Sequence, residues 1–534
     1  MSTATHPPQP TREISPWAPL SQAVFRNLWL AVLASNVGTW MQTVGAQWLV
    51  VHEPRAASWV SLVQVATTLP VLLLALPAGV LADTLDRRRL LLAVQVCLFV
   101  VAAGLAALTA LDRMPPALLL AFTFALGAGQ AVTLPTWQAI IPEVVPREEL
   151  PAASALGAVN TNLARSAGPA IAGLLVAHIG PAAVFGLNAL SFAVFAAALP
   201  SWRRPPDSGT RHAEHFGPAL RAAGRFVRDS PVVRRILLRV ALFVLPGSVV
   251  WGLLPLVASR ELGLGAAGYG MLLAALGVGA IAGALVMPRV REWLPPNALI
   301  VIAGVVYGAA LVVVALVPDT IAVTVALVAA GSAWMTLVSR MNAELQLFLP
   351  NWVRARGLAV YQVVFAGCQA LGAFVWGQLT SFTDLGTAYL VAAAAMIAGT
   401  ISVGWLPLYE QEGIDRGPVG YWAEPHLMLE PHLDTGPVLV TAAYRVPARN
   451  GRAFVAAMEA VRRARLRTGA TRWGLFRDGE DPEQYVEVFV VPTWEEHLRQ
   501  HELGGGDVAA DERAVALAEG PPRVTHLLPP DSSD

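Results

Sequence analysis

Arg165 is the residue whose placement asks most of the chain. It lies in the apolar stretch 152–177, and a helix entered near Pro151 carries it about 20 Å from the entry end. A guanidinium stays charged and meets anionic oxygens through a planar fork. Held that deep in an apolar medium, it must face a cavity or a partner. No Asp or Glu sits at a comparable depth in any apolar stretch, and the neutral polar residues at hand are Asn36, Gln42, Asn160 and Asn162. Two readings stay open. Either Arg165 binds an anionic or phenolic ligand, with Asn36, Trp40, Gln42 and Asn162 around it, or carbonyls and amides satisfy it. Trp40, Gln42, Gln47 and Trp48 make the first stretch rich in aromatics and amides, which suits amphiphilic ligands. A second group is Asp83 followed by Arg87, Arg88 and Arg89. A carboxylate there can pair with arginines and with a helix N-terminus; the alternative is a charge cluster that only sets topology. A third is Arg340 with Glu344, four apart on one helix face. It reads as an interfacial ion pair or, more sharply, as a gating pair with the Arg354/Arg356 loop.

Other chemistry is excluded. All 37 basic residues are arginine. Without lysine there is no phosphate-binding P-loop and no Schiff-base site. Cys97 and Cys368 lie in apolar runs and read as small core residues, with no disulfide framework. His497 and His501 have helical metal-ligand spacing, but no third ligand is apparent, so an exposed helix face is expected. No metal or other cofactor is expected. Gly277-Val-Gly279-Ala-Ile-Ala282 matches a dinucleotide-loop pattern, yet it lies inside an apolar helix with no strand before it and is rejected.

The elements that must position these residues follow from composition. The 534 residues are 55% hydrophobic and 14% charged, with mean hydropathy +0.54. That excludes a disordered chain, a nucleic-acid-binding protein and a simple soluble enzyme, and points to a polytopic membrane protein. Residues 1–409 hold 24 Arg against 16 acids, whereas 410–534 hold 13 Arg against 21 acids. A membrane body is thus followed by a soluble-looking tail. Apolar stretches of spanning length predict helices at 26–51, 58–81, 90–111, 116–140, 152–177, 182–200, 236–258, 267–287, 297–317, 320–345, 357–380 and 386–408. The Pro/Arg-rich segment Ser201–Arg235 divides them into two sets of six. One set of loops carries sixteen arginines and the alternate set three, Arg55, Arg113 and Arg260. Both termini and the central loop are therefore expected in the cytosol. The halves repeat: Gly79…Arg89 at the end of the second helix is matched by Gly283…Arg291 at the end of the eighth, as alternating-access transporters show. The excess of Arg, Ala and Pro is that of a GC-rich genome, hence a bacterial inner membrane.

These residues resemble a family. Gly79-x-Leu-Ala-Asp83-x-x-x-Arg87-Arg88 is similar to the loop signature of the major facilitator superfamily. Ser35–Gln42, Pro142–Leu150 and Asn162–Pro169 resemble its enterobactin-exporter-like branch, over about residues 15–410. Asp86 departs from the usual Gly of the signature, and Thr123 or a neighbour stands in place of the superfamily's fourth-helix Arg. The resemblance implies a gate built on Gly79, Asp83, Arg87 and Arg88. Gly168, Pro169 and Gly173 resemble the antiporter motif of the fifth helix; small residues there also allow plain close packing. The activity implied is export of siderophore- or drug-like molecules by alternating access driven by proton antiport, although no mid-membrane carboxylate offers itself as the carrier.

The tail reads β-α-β-β-α-β, a ferredoxin-like order. It weakly resembles the antibiotic-biosynthesis monooxygenases, through Tyr485 and Trp494-Glu-Glu-His497. The expected division is a cytosolic segment 1–25, six-helix halves 26–200 and 236–408 flanking a central loop 201–235, a linker 409–436 and the ferredoxin-like domain 437–528. The fold class is thus all-α polytopic membrane protein with a small α+β domain. Expected partners are a small-molecule substrate, protons, the bilayer and a second copy through the tail, with no nucleic acid. No catalysis is expected; the competing reading is a membrane-tethered monooxygenase-like enzyme or ligand sensor.

Overall fold

The computed structural model describes residues 15–202, 227–228, 230–349, 351–408, 432, 435–494, 497–498 and 505–529. Among the described residues, twelve long helices precede the tail. They are α1 (Ala23–Leu49), α2 (Ala56–Thr84), α3 (Arg87–Ala110), α4 (Pro116–Val144), α5 (Leu150–His178), α6 (Pro181–Ala198), α7 (Pro231–Leu256), α8 (Ala266–Trp293), α9 (Pro296–Leu316), α10 (Thr320–Phe348), α11 (Asn351–Phe382) and α12 (Leu385–Ile401). Each predicted stretch falls on one of them. Local chemistry sets several boundaries. Pro116, Pro181 and Pro296 open α4, α6 and α9, where the missing N–H costs nothing. Asp86 and Asp384 cap α3 and α12 by accepting the backbone N–H of Arg89 and Thr387, each at 2.8 Å. The Asp86 that departs from the signature is therefore the N-cap of α3.

Ten of these helices are long and apolar enough to cross a membrane; α1 and α5 are not among them. The reason is their cargo. Asn36, Gln42 and Gln47 lower the hydropathy of α1, and Asn160, Asn162 and Arg165 that of α5. The two helices expected to carry the ligand site are those the apolar criterion passes over.

The chain divides into two compact units, one of Met1–Ala213, Arg239–Met341 and Tyr361–Leu406, the other of Glu214–Leu238, Asn342–Val360 and Pro407–Asp534. In the first, α1 packs on α5 and α6, α2 on α4, α3 on α6, and α5 on α8. Arg239, which sequence reasoning passed over, is wholly buried there. It donates to the Gly399 carbonyl, the Ser402 hydroxyl and carbonyl (each 2.9 Å) and the Leu406 carbonyl. It thereby satisfies carbonyls at the end of α12, where intrahelical donors run out. Cys97 is exposed on this unit rather than part of a core, because its face of α3 points outward.

The second unit contains a four-stranded antiparallel sheet of β1 (Val438–Arg445), β2 (Arg472–Arg477), β3 (Gln484–Val491) and β4 (Arg523–Leu527), ordered β2-β3-β1-β4. Two helices, α13 (Gly451–Thr468) and α14 (Gly505–Val515), pack together. Strict alternation in β1 and β3 sends Val440, Ala442, Tyr444, Tyr485, Phe489 and Val491 into the core. Inside it, Arg465 donates to Glu487 and to both oxygens of Asp511 at 3.0 Å, and Trp473 donates to Glu487 at 2.9 Å. Burial alone would lower the Arg465 pKa; the two carboxylates raise it above its ordinary value. His497 corrects an expectation. It is buried rather than exposed, with its ring 4.8 Å from His526 and 5.2 Å from Trp494, because the Val524/His526 face of β4 turns toward it. His501 lies outside the described residues.

Candidate functional site

Arg165 projects from the middle of α5. Its Nη2 donates to Asn162 Oδ1 one turn back, at 2.5 Å, and reaches Met335 Sδ of α10 at 3.7 Å. A thioether is a weak acceptor. Nε is buried and has no acceptor among the described residues. No carboxylate meets this guanidinium in the hydrogen bonds and ion pairs of the described residues. Asn162 also donates to the Ala158 carbonyl of its own helix at 2.8 Å, which fixes its oxygen toward Arg165.

The other predicted residues divide. Asn36 donates to Asn160 Oδ1 at 2.8 Å, and Asn160 donates to the Trp29 carbonyl at 2.9 Å, so these amides tie α1 to α5. Gln42 is not beside Arg165. It is buried against α6, accepting from Asn188 at 3.1 Å. Trp40 lies where α1 and α5 touch: a methyl group at Gly168 would stand 2.7 Å from Trp40 Cβ. Its ring centroid is 5.8 Å from that of Trp251 on α7.

The small residues of α5 serve two faces. Gly168 meets α1, and Gly173 meets α8, where a methyl group at Gly270 would stand 2.5 Å from the Pro169 carbonyl and 2.9 Å from Gly173 Cα. Only glycine permits that approach. This crossing belongs to a set of contacts between the halves at the end of the bundle where α1 finishes and α2 begins. Gln47 donates to the Trp251 carbonyl at 2.9 Å and accepts from the Tyr269 hydroxyl. Trp48 stacks on Tyr269 with centroids 6.0 Å apart. Ser58 and Ser381 hydroxyls meet at 2.9 Å. These contacts close that end. Sequence reasoning missed Tyr269, Trp251 and Ser381, since their partners lie some two hundred residues away or more.

At the opposite end, Arg87 opens α3 and is buried. It donates to Glu143 of α4 at 2.6 Å and to the Ala139 carbonyl at 3.0 Å. The sequence does not single out Glu143, although it falls within the Pro142–Leu150 stretch. Arg88 is half-buried, with a long contact of 3.5 Å to the Pro200 carbonyl. Gly79 and Asp83 lie on α2, and their side-chain surroundings are outside the described residues. Arg340 and Glu344 stand one turn apart on α10, and Glu344 is buried. Among the described residues no group of three or more His, Cys, Asp and Glu could hold a metal.

Comparison with known proteins completes the picture. Residues 14–533 match the model of a family described as transmembrane secretion effector, within the major facilitator superfamily. The chain is 25% identical to the staphyloferrin A transporter of Staphylococcus aureus over 52% of this chain and 69% of that protein. It is 26% identical to the multidrug efflux pump Tap of Mycolicibacterium fortuitum over 71% and 94%, and 28% identical to the enterobactin exporter EntS of Citrobacter koseri over 60% and 77%. A bacterial homologue of the lysosomal transporter Spinster, inward-facing and unoccupied, superposes with TM-score 0.57 at 16% identity, covering 73% of this chain and 95% of that one.

Proposed function

Since the chain belongs to the transmembrane secretion effector family and is a membrane transporter rather than an enzyme, we propose that it exports siderophore- or drug-like amphiphiles across a bacterial inner membrane by alternating access, with protons as the counter-ion. The observation that carries this is Arg165: a cation in mid-helix, answered by an amide and a thioether instead of a carboxylate. The relatives are named for exporting siderophores and drugs, and the arginine is suited to the anionic oxygens of the former.

In this reading all twelve helices span, α1 and α5 being tolerated because their polar residues face the substrate path rather than lipid. Both termini and 201–235 face the cytosol, so the closed end described above is the outer one. Arg165, Asn36, Trp40 and Asn162 line the substrate path, and Gln42 supports it from the α6 side. Gly79, Asp83, Arg87 and Arg88 form the inner gate, with Arg87 anchored to α4 through Glu143. Residues 437–528 form a ferredoxin-like cytosolic domain, in keeping with its strand order, that regulates transport and pairs with a second copy.

Uptake into inverted membrane vesicles tests the direction. Vesicles with an acid interior should accumulate a labelled catecholate siderophore, and collapse of the pH gradient should abolish this. Accumulation only in right-side-out vesicles would reverse the assignment. Impermeant thiol labelling of cysteines placed at 210 and 430 should occur only after the cells are opened.

A further inference from the structure

One amide, Asn162 of its own helix α5, answers Arg165 on one side. From the second half Met335 reaches it, and beside Met335 that half carries a run of aromatic rings. Ring centroids run from Trp40 to Trp251 at 5.8 Å, from Trp251 to Trp334 at 5.8 Å, from Trp334 to Phe365 at 6.1 Å and from Phe365 to Tyr361 at 6.3 Å. This chain of rings crosses α1, α7, α10 and α11. It comes near Arg165 along the chain at two places: Met335, which takes Arg165 Nη2, follows Trp334 in sequence, and Trp40 packs on Gly168 one turn along α5 from Arg165. None of the second-half rings was singled out by the sequence.

Two polar atoms decide what such a surface takes. Arg165 Nε–H and the Trp251 indole N–H are both buried and without acceptor among the described residues; Trp251 is 8% exposed. A buried donor left unmet loses its bond to water and gains none in return, so native interiors seldom keep one without a use. Both groups donate and neither can accept. A ligand that satisfies them brings oxygen acceptors, and the positive charge of Arg165 favours an anion over a neutral acceptor. The rings, inclined to one another by 42° to 71° from Trp40 to Phe365, offer apolar faces and edges to the rest of the molecule.

We infer that Trp251 and Trp334 form the second wall of the binding site, and that the site selects an aryl group carrying an anionic oxygen and rejects aryl cations. The aryl ring lies against Trp334 and its neighbours, while the anionic oxygen takes hydrogen bonds from Arg165 and the Trp251 indole. This rests on the placement of the substrate path at Arg165. It goes beyond that placement by assigning the opposite wall and the sign of the ligand's charge.

Equilibrium binding to the purified full-length transporter in nanodiscs tests it with three probes: salicylate (aryl anion), hexanoate (anion without a ring) and benzylamine (aryl cation). The wild type should bind salicylate about tenfold or more tighter than hexanoate, the gain expected of one stacked ring. It should show no saturable benzylamine binding. Trp334→Leu should lose that preference, weakening salicylate more than hexanoate. Trp251→Phe keeps a ring and removes the donor, so both anions should weaken about tenfold, as for a lost hydrogen bond to a charged group. It also decides the matter if the leucine variant fails to fold. Arg165→Gln should lose both anions. Benzylamine binding as tight as salicylate, or no saturable salicylate binding by the wild type, overturns the ligand class. Unchanged salicylate binding in both tryptophan variants, with loss in Arg165→Gln, overturns the aromatic wall and leaves the path at Arg165 standing. Unchanged binding in Arg165→Gln overturns the placement of the path itself, and with it the inference.

Discussion

At the scale of single residues, charge and burial separate roles that the sequence presents alike. Arg165, Arg239 and Arg87 are all arginines in or beside apolar helices. Arg239 is surrounded by four carbonyl or hydroxyl acceptors, and Arg87 holds Glu143, whereas Arg165 has one amide and a thioether. Replacing Arg165 by Ala should cost export about tenfold to a hundredfold in apparent affinity, the range for a charge-assisted pair. Arg340→Ala should cost severalfold less; an efflux assay on both variants at matched expression checks this. Asp86 and Glu143 make a second contrast. Asp86→Ala removes an N-cap and should lower stability by about 1 kcal/mol with little change in transport. Glu143→Gln removes the charge that answers a buried guanidinium, so it should impair transport at similar expression. Thermal unfolding in detergent beside efflux rates separates the two.

At the scale of elements, the information lies in which helices touch. The α5–α8 crossing depends on Gly173 and Gly270, and the α2–α11 contact on Ser58 and Ser381. Alternating access requires such contacts to open once per cycle. A Ser58→Cys/Ser381→Cys pair should therefore cross-link under oxidation, stop transport and recover on reduction, while each single variant transports normally. Transport that continues in the cross-linked protein would show that this end need not open. The positions of the helices themselves were legible in the sequence, because a stretch of apolar residues is recognisable without knowing its neighbours. Their mutual contacts were not. An all-round apolar helix carries no periodic signal to say which face meets which partner, and for this reason Trp251, Tyr269 and Trp334 went unnoticed.

For the whole molecule, the tail has its own core and its own buried ion network. Arg465→Met would leave Glu487 and Asp511 buried without their cation, a loss of roughly 3–5 kcal/mol for a broken buried pair. Proteolysis of the full chain should then cut within 437–528 while the helical body persists. Burial, and then the neighbouring Glu487 carboxylate, raise the Tyr444 phenol above its ordinary value near 10. The unfolded phenol ionises first, so the tail should be stable below about pH 10 and lose stability as the pH rises beyond it. Protease sensitivity of the tail, measured from pH 8 to 11, checks the sign.

Reading along the chain is enough to recognise a polytopic membrane protein, where its helices run, which charges fall inside apolar stretches and which family its motifs resemble. Each of these depends on residues close together along the chain: the length of an apolar run, an arginine within it, a Gly-Asp-Arg-Arg spacing. What those residues meet depends on how the helices and strands assemble. Assembly brought Gln47 to Tyr269 across 222 positions, Arg165 to Met335 across 170 and Arg465 to Asp511 across 46. It also turned His497 inward against a histidine from the last strand and set Gln42 against α6. Such pairings are chosen by the packing of surfaces whose apolar sequences are nearly interchangeable, so the choice becomes visible only when the helices are assembled.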